Sequence, residues 1–154
     1  NDFGAGGCNS HVWMSFYRPE CGRLNDLQTF HGIDPDGFYS GLHVGGRDRQ
    51  LVARAKEAIR RAPDELLRAV NGLLRRGGWS LEYSRGSGSK SAEVAVHEPL
   101  AEWPNDVFRA QSLSIYLSLD KRQVIELGPK LVRGAAVAMQ GIWPLYQAFV
   151  GDNP

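Results

Sequence analysis

The chain lacks the features that mark membrane and secreted proteins. No run approaches the roughly 18 consecutive apolar residues of a membrane-spanning helix, and the first residues lack the charged-then-apolar layout of a secretory signal. Two cysteines in 154 residues exclude a disulfide-rich scaffold. Two free thiols are expected, while a single bridge between Cys8 and Cys21 stays open for an oxidising compartment. These absences predict a soluble, cytoplasmic protein with no membrane partner.

The signatures of common catalytic sites are also missing. The chain has no Gly-x-Ser-x-Gly, His-Glu-x-x-His or Cys-x-x-Cys sequence and no Asp-x-Lys or Glu-x-Lys pair. Its glycine pair before Arg47 is not followed by the Lys-Ser/Thr of a phosphate-binding loop. Cys8, His11, Cys21 and His31 lack the second close pair typical of zinc sites. The sequence therefore predicts no cofactor and no metal.

What is present is typical of one folded unit. Hydrophobic residues make up 42% and charged residues 23% of the chain, both near globular averages. We expect a single domain over residues 11–154, preceded by a flexible terminus or linker at residues 1–10. Because the sequence opens on Asn1 and is rich in glycine there, we expect it to be an excerpt from a longer chain, or a chain whose tail has been trimmed.

The hydrophobic patterns predict an α+β fold, with a mainly antiparallel sheet of about five strands covered by three or four helices in a single layer. The segment at residues 20–36 is expected to be a surface loop with a short turn of helix. The first two strands are expected to pair with each other. The predicted strands are residues 11–17, 38–44, 79–83, 92–96 and 113–119, and the predicted helices follow Asp48, begin at Pro63, and run over residues 120–150 with a break at Gly128.

Basic residues are concentrated in one stretch. Residues 47–76 carry nine basic and four acidic residues, a formal charge of +5, whereas the rest of the chain sums to −4. Such a segregated field attracts nucleic acid or another anionic partner, although a solvated helical face explains it as well. The candidate anion contacts are Arg47, Arg49, Arg54, Arg60, Arg61, Arg68, Arg75 and Arg76.

The leading functional interpretation is a non-catalytic binding or accessory domain that uses this basic helical face. A first alternative is a small enzyme that uses His31 or His43, the two histidines flanking the predicted central strand, with a nearby carboxylate such as Asp36. A second alternative is a protein interaction domain of a larger protein. That interpretation depends on exposure of the apolar residues near the end of the chain, which are Trp143, Pro144, Tyr146 and Phe149.

Two segments resemble a known family. The run Gly-Phe-Tyr-Ser-Gly-Leu-His-Val-Gly-Gly from Gly37, with the Ala-Ile-Arg-Arg-Ala-Pro helix after it, and Ile-Trp-Pro-Leu-Tyr-Gln-Ala-Phe from Ile142 are similar to a bacterial family catalogued as domain of unknown function 2461. The basic run that the family carries before its strand is not reproduced at residues 17–26. The resemblance implies an α+β fold with a Tyr-rich strand and a glycine step into a helix. It supplies no established reaction, so no catalytic residue carries over.

Overall fold

A computed structural model of the protein describes residues 11–21, 26–45, 49–85 and 92–151. The predicted α+β class is confirmed, with six strands and four α-helices in these ranges. Two short 3-10 helices, Asn105–Arg109 and Gly128–Lys130, complete the described elements. In chain order the elements are β1 (Val12–Phe16), β2 (Gln28–Ile33), β3 (Gly37–Val44), α1 (Arg49–Arg61), α2 (Pro63–Leu74), β4 (Trp79–Arg85), β5 (Ala92–Val96), β6 (Leu113–Asp120), α3 (Lys121–Leu127) and α4 (Leu131–Val150).

The strands form one sheet in the order β1-β2-β3-β6-β4-β5. Every neighbouring pair is antiparallel. The hairpin between β2 and β3 is closed at Asp34, whose carboxylate accepts hydrogen bonds from the backbone N–H groups of Asp36 at 2.8 Å and Gly37 at 2.9 Å. Asp34 therefore forms an Asx turn, in which its side chain takes the place of a backbone acceptor.

Local sequence signals set the helix ends. Pro63 occupies the first turn of α2, where its missing N–H costs no hydrogen bond. Gly77 and Gly78 end the helical region with φ of 72° and 71°, a conformation that favours glycine. Asp120 caps α3 through a reciprocal hydrogen-bond pair with Gln123. The predicted break after α3 is confirmed by the 3-10 helix at Gly128–Lys130.

One hydrophobic core lies between the sheet and the helices. Residues of alternate positions on the central strands, such as Leu42, Leu81 and Ile115, are buried in the same cluster as residues of α1, α2 and α4. Ile59 of α1 and Leu145 of α4 are each fully buried there. Because side chains alternate across a strand, the other positions of these strands point to the opposite side of the sheet. We call that side the open face, and the one against the helices the covered face.

Two predictions about the N-terminal region were wrong. Residues 28–33 form strand β2, although the segment was expected to be a loop, and the sheet therefore has six strands in place of about five. β1 and β3 do not pair with each other, since β2 lies between them. The mixed polar and apolar sequence of β2 hid a strand whose pairing with β1 and β3 supplies hydrogen bonds on both sides. The expected flexible terminus at residues 1–10 and the expected N-cap Asp48 lie outside the described residues.

Candidate functional site

The open face of the sheet carries a cleft of about 460 Å³. Side chains from five strands line it, because β1, β2, β3, β6 and β4 lie side by side and each directs alternate residues to this side. Four of its nine lining residues are large aromatics and the other five are polar. Small-molecule sites likewise combine aromatic walls with polar groups that converge on the ligand. The lining residues are Trp13, Gln28, Phe30, Tyr39, His43, Glu82, Ser114, Tyr116 and Ser118.

Aromatic rings form the walls of the cleft. The ring centroid of Phe30 lies 6.0 Å from that of Tyr39 and 6.4 Å from that of Tyr116. One glycine provides the space for the ring of Tyr39, because a Cβ atom at Gly32 would collide with that ring. A Cβ atom at Gly41 would instead collide with the Cβ of Tyr116 and with the backbone of β6. Gly32 therefore allows Tyr39 to lie close to the sheet, and Gly41 allows β3 and β6 to approach each other closely.

A histidine and a serine face each other across β3 and β6. His43 and Ser114 are direct partners in the strand register, and Nδ1 of His43 lies 2.9 Å from Oγ of Ser114. Burial lowers the pKa of His43, and the Glu93 carboxylate offsets this effect only in part. The imidazole is therefore neutral at pH 7, and it can both donate and accept a hydrogen bond.

A tyrosine and a glutamate form the second polar pair in the cleft. The hydroxyl of Tyr116 donates a hydrogen bond to Oε1 of Glu82. Burial, together with this hydrogen bond, raises the pKa of Tyr116 well above its usual range. The phenol therefore keeps its proton, and its O–H group donates to one oxygen of the carboxylate. The second oxygen of Glu82 offers further acceptor capacity at the cleft.

The cleft has a simple charge pattern. Glu82 is the one acidic residue among its lining residues, and within the described ranges none of them is lysine or arginine. With His43 neutral, the lining carries one formal negative charge. Such a surface favours a ligand that brings hydrogen-bond donors or a positive charge.

The structure does not bring the two predicted histidines together. His31 stands opposite Ser40 on the covered face, with Nδ1 2.9 Å from the serine Oγ, whereas His43 points to the open face. The imidazole of His31 is packed between Phe16, at 5.7 Å between centroids, and Phe38, at 6.1 Å. Burial lowers the pKa of His31 as well.

The other catalytic and metal candidates lie outside the cleft. Asp36 is exposed in the turn between β2 and β3, where its backbone is held by Asp34. Cys21 is a free cysteine, and Cys8 falls outside the described residues. Among the residues with described positions, no three His, Cys, Asp or Glu side chains come together in a way that could hold a metal ion.

The eight predicted anion contacts are dispersed over the helices. Arg49 and Arg60 share one groove with two cations that the prediction did not include, Lys56 and Arg109. Arg47 is not among the described residues. The remaining predicted contacts lie elsewhere: Arg54 and Arg61 flank the end of α4, Arg75 lies beside Gly77 and Gly78, and Arg68 and Arg76 are exposed on or just after α2.

The predicted protein-contact residues of α4 are split between surface and core. Trp143 is 52% exposed and stacks on Tyr146 with ring centroids 5.0 Å apart. Pro144 is exposed as well, but Phe149 is buried in the core. An exposed apolar surface here is therefore limited to Trp143 and Pro144, with the half-buried Tyr146 beside them.

Sequence reasoning missed most of the cleft. Ser114, Tyr116 and Ser118 were visible as the polar positions of a strictly alternating strand, and this alternation was the available signal. Phe30 was hidden because its strand was interpreted as a loop. The position of Glu82 beside Tyr116 depends on the pairing of β4 with β6, and no local pattern shows that pairing.

Comparison of the chain with protein-family models, with curated proteins and with solved structures found no match. The resemblance to domain of unknown function 2461 stays a prediction. Within the described residues, no helix has the length and apolar character needed to cross a bilayer.

Proposed function

We propose that this protein binds a small organic amine in the cleft on the open face of its sheet. The observation that carries the proposal is a single carboxylate, Glu82, set among the rings of Trp13, Phe30, Tyr39 and Tyr116. Aromatic faces attract cations through their negative quadrupole, and a carboxylate adds a charge-assisted hydrogen bond.

The neutral pair formed by His43 and Ser114 fits this role. A charged imidazolium would repel an amine, whereas a neutral imidazole offers it a hydrogen-bond acceptor or donor. Burial, which keeps the pKa of His43 low, therefore favours the proposed ligand. The apolar walls would receive the uncharged body of the ligand, and the polar end would lie between His43 and Glu82.

Calorimetric titration with two matched probes tests the proposal. Tryptamine and indoleacetate share an indole ring but carry opposite charges, so the cleft should bind tryptamine and discriminate against indoleacetate. Replacing Glu82 by Gln should weaken tryptamine binding about 10- to 100-fold, since hydrogen bonds to charged groups contribute about 1.5–3 kcal/mol. The glutamine amide oxygen can still accept the hydrogen bond from Tyr116, so the variant should keep its fold.

Glu126→Gln is the matched control for this experiment. Glu126 is an exposed residue of α3 that does not line the cleft, and its substitution removes the same charge. Its affinity for tryptamine should stay close to that of the wild type. Equal binding of tryptamine and indoleacetate, or equal losses in the two glutamate variants, would contradict an amine site at Glu82.

The 2.9 Å contact between His43 and Ser114 favours a second candidate function, ester hydrolysis. In that reaction Oγ of Ser114 would attack an ester carbonyl while Nδ1 of His43 accepts the hydroxyl proton and passes it to the alcohol that leaves as the ester C–O bond breaks. Water would then hydrolyse the acyl-serine, which releases the acid and restores the Ser114 hydroxyl. Hydrolysis of p-nitrophenyl acetate by the wild type, Ser114→Ala and Ser118→Ala tests this function. Ser118 lines the same cleft on the same strand, so loss of turnover in the Ser114 variant alone would support it. Equal turnover in all three proteins would exclude it.

A further inference from the structure

A second concave surface lies on the helical side of the molecule. Helix α1 and the 3-10 helix Asn105–Arg109 form a groove of about 760 Å³. Four cationic side chains line it: Arg49, Lys56, Arg60 and Arg109. We call this surface the basic groove.

The spacing along α1 explains how three of these cations meet. Lys56 follows Arg49 by seven residues, and Arg60 follows Lys56 by four, so the three lie on one side of the helix. Arg109 comes from the opposite wall, at the end of the 3-10 helix. Two separate elements thus direct positive charge into the same space.

Among the described residues, little compensates this charge. The one ion pair found for Arg60, to Glu57 at 3.4 Å, joins two exposed side chains and is therefore weak. The Arg60 guanidinium also lies 5.3 Å from the centre of the Phe108 ring, which fixes its position over the groove. Of the described residues that line the groove, none is acidic.

Lys56 shows the effect of this crowding. Burial lowers the pKa of Lys56, and repulsion from Arg60 lowers it further. An anion held between these side chains would relieve that repulsion and would be attracted by all four cations at once. A group with several charged oxygens gains more from such a surface than a single carboxylate does.

We propose that the basic groove binds a phosphate-bearing ligand through Arg49, Lys56, Arg60 and Arg109. This site shares no residue with the amine cleft and does not depend on it. The phosphates belong either to a small polyphosphate compound or to a nucleic-acid backbone, and the two sources share the same chemistry.

Calorimetric titration with inorganic phosphate, pyrophosphate and tripolyphosphate at low salt, about 50 mM, tests the site. Affinity should rise with the number of phosphates. The double variant Lys56→Gln/Arg109→Gln should bind tripolyphosphate at least about tenfold more weakly, because it removes a charge-assisted contact from each wall. The single variants at the same positions keep the test valid if the double variant does not fold.

Arg61→Gln/Arg68→Gln is the matched control, since it removes the same charge from α1 and α2 outside the groove. It should retain the wild-type affinity for tripolyphosphate. The proposal is overturned if the wild type binds none of the three probes, or if both double variants lose affinity equally.

A further arm identifies the source of the phosphate. A single-stranded oligonucleotide is titrated over a range of salt concentrations and then competed with tripolyphosphate. A nucleic-acid backbone is indicated if the oligonucleotide binds more tightly than tripolyphosphate, if its affinity falls steeply with salt, and if tripolyphosphate displaces it. Tripolyphosphate binding without oligonucleotide binding indicates a small polyphosphate compound. Oligonucleotide binding that tripolyphosphate does not displace places the oligonucleotide outside the groove and excludes a nucleic-acid backbone as the groove's ligand.

Discussion

At the scale of single residues, the protonation state of His43 should make binding at the proposed amine site depend on pH. Burial holds its pKa below that of an exposed histidine, 6.5, so folding keeps a neutral imidazole next to Ser114. Protonation would place a positive charge in a partly buried position and would repel an amine in the cleft. Acid should therefore weaken both the fold and the proposed binding.

The sign of the pH effect follows from linkage. Because the unfolded chain binds a proton at pKa 6.5 and the folded chain only at lower pH, the free energy of unfolding should fall as pH decreases below that value. His43→Asn does not titrate and should therefore lose less of this free energy than the wild type between about pH 7 and about pH 5. Urea unfolding of both proteins at a series of pH values measures this difference. Parallel curves for the two proteins between about pH 7 and about pH 5 would contradict this assignment.

Arg18 and Asp26 form a pair whose two members are not equally replaceable. The side chain of Asp26 is fully buried, and Nη2 of Arg18 lies 3.0 Å from its Oδ1. Burial alone would raise the pKa of Asp26, but the hydrogen bonds from Arg18 outweigh it and leave the pKa below 3.8. Stability from this pair should therefore be lost only when pH falls through that lowered pKa.

Removing Arg18 alone should leave a buried carboxylate without its partner. We expect Arg18→Met to lower the free energy of unfolding by about 3–5 kcal/mol, and Arg18→Met/Asp26→Leu to be less destabilised, because the double variant buries no unpaired charge. Urea denaturation of the two variants measures the difference. A double variant that is less stable than the single variant would show that the pair itself contributes the stability.

At the scale of elements, two glycines in different structures should respond oppositely to the same substitution. A Cβ at Gly41 in β3 would collide with Tyr116 and the backbone of β6, whereas one at Gly72 in α2 would meet no atom within 4 Å. Gly41→Ala should therefore destabilise the protein by about 1–3 kcal/mol. Gly72→Ala should stabilise it by about 0.5–1 kcal/mol. Thermal unfolding of both variants tests the close approach of β3 to β6 at Gly41. Similar shifts of the melting temperature, with the same sign in both variants, would contradict it.

The sequence predicted elements whose own residues specify them. The alternation of β6 and the apolar stripe of α1 are local patterns, and both elements were found where they were expected. β2 was missed because three of its six residues are polar and four are half-buried, so its strand conformation depends on pairing with β1 and β3. The cleft could not be predicted for the same reason. Its contacts join strands that are far apart in the chain, as Tyr116 of β6 and Glu82 of β4 show.

At the scale of the whole molecule, burial falls across the sheet from its centre towards β1. Leu42 and Ile115 of the central strands are each 1% exposed, while Val12 and Met14 of β1 are 65% and 56% exposed. The helices cover the centre of the sheet but leave these β1 side chains accessible. Local opening should therefore require less free energy at this edge than at the centre.

Hydrogen exchange measured by mass spectrometry should follow this gradient. Peptides from β3 and β6 should exchange slowest, since their amides are bonded within a covered sheet and open only when most of the core unfolds. Peptides from β1 should exchange much faster, because opening this edge strand exposes few apolar contacts. The Arg18→Met variant should speed exchange in β1 and β2 before it affects β6, since the ion pair joins the end of β1 to the start of β2. Protection of β1 equal to that of β6 would contradict the gradient and would mean that another surface covers this edge in solution.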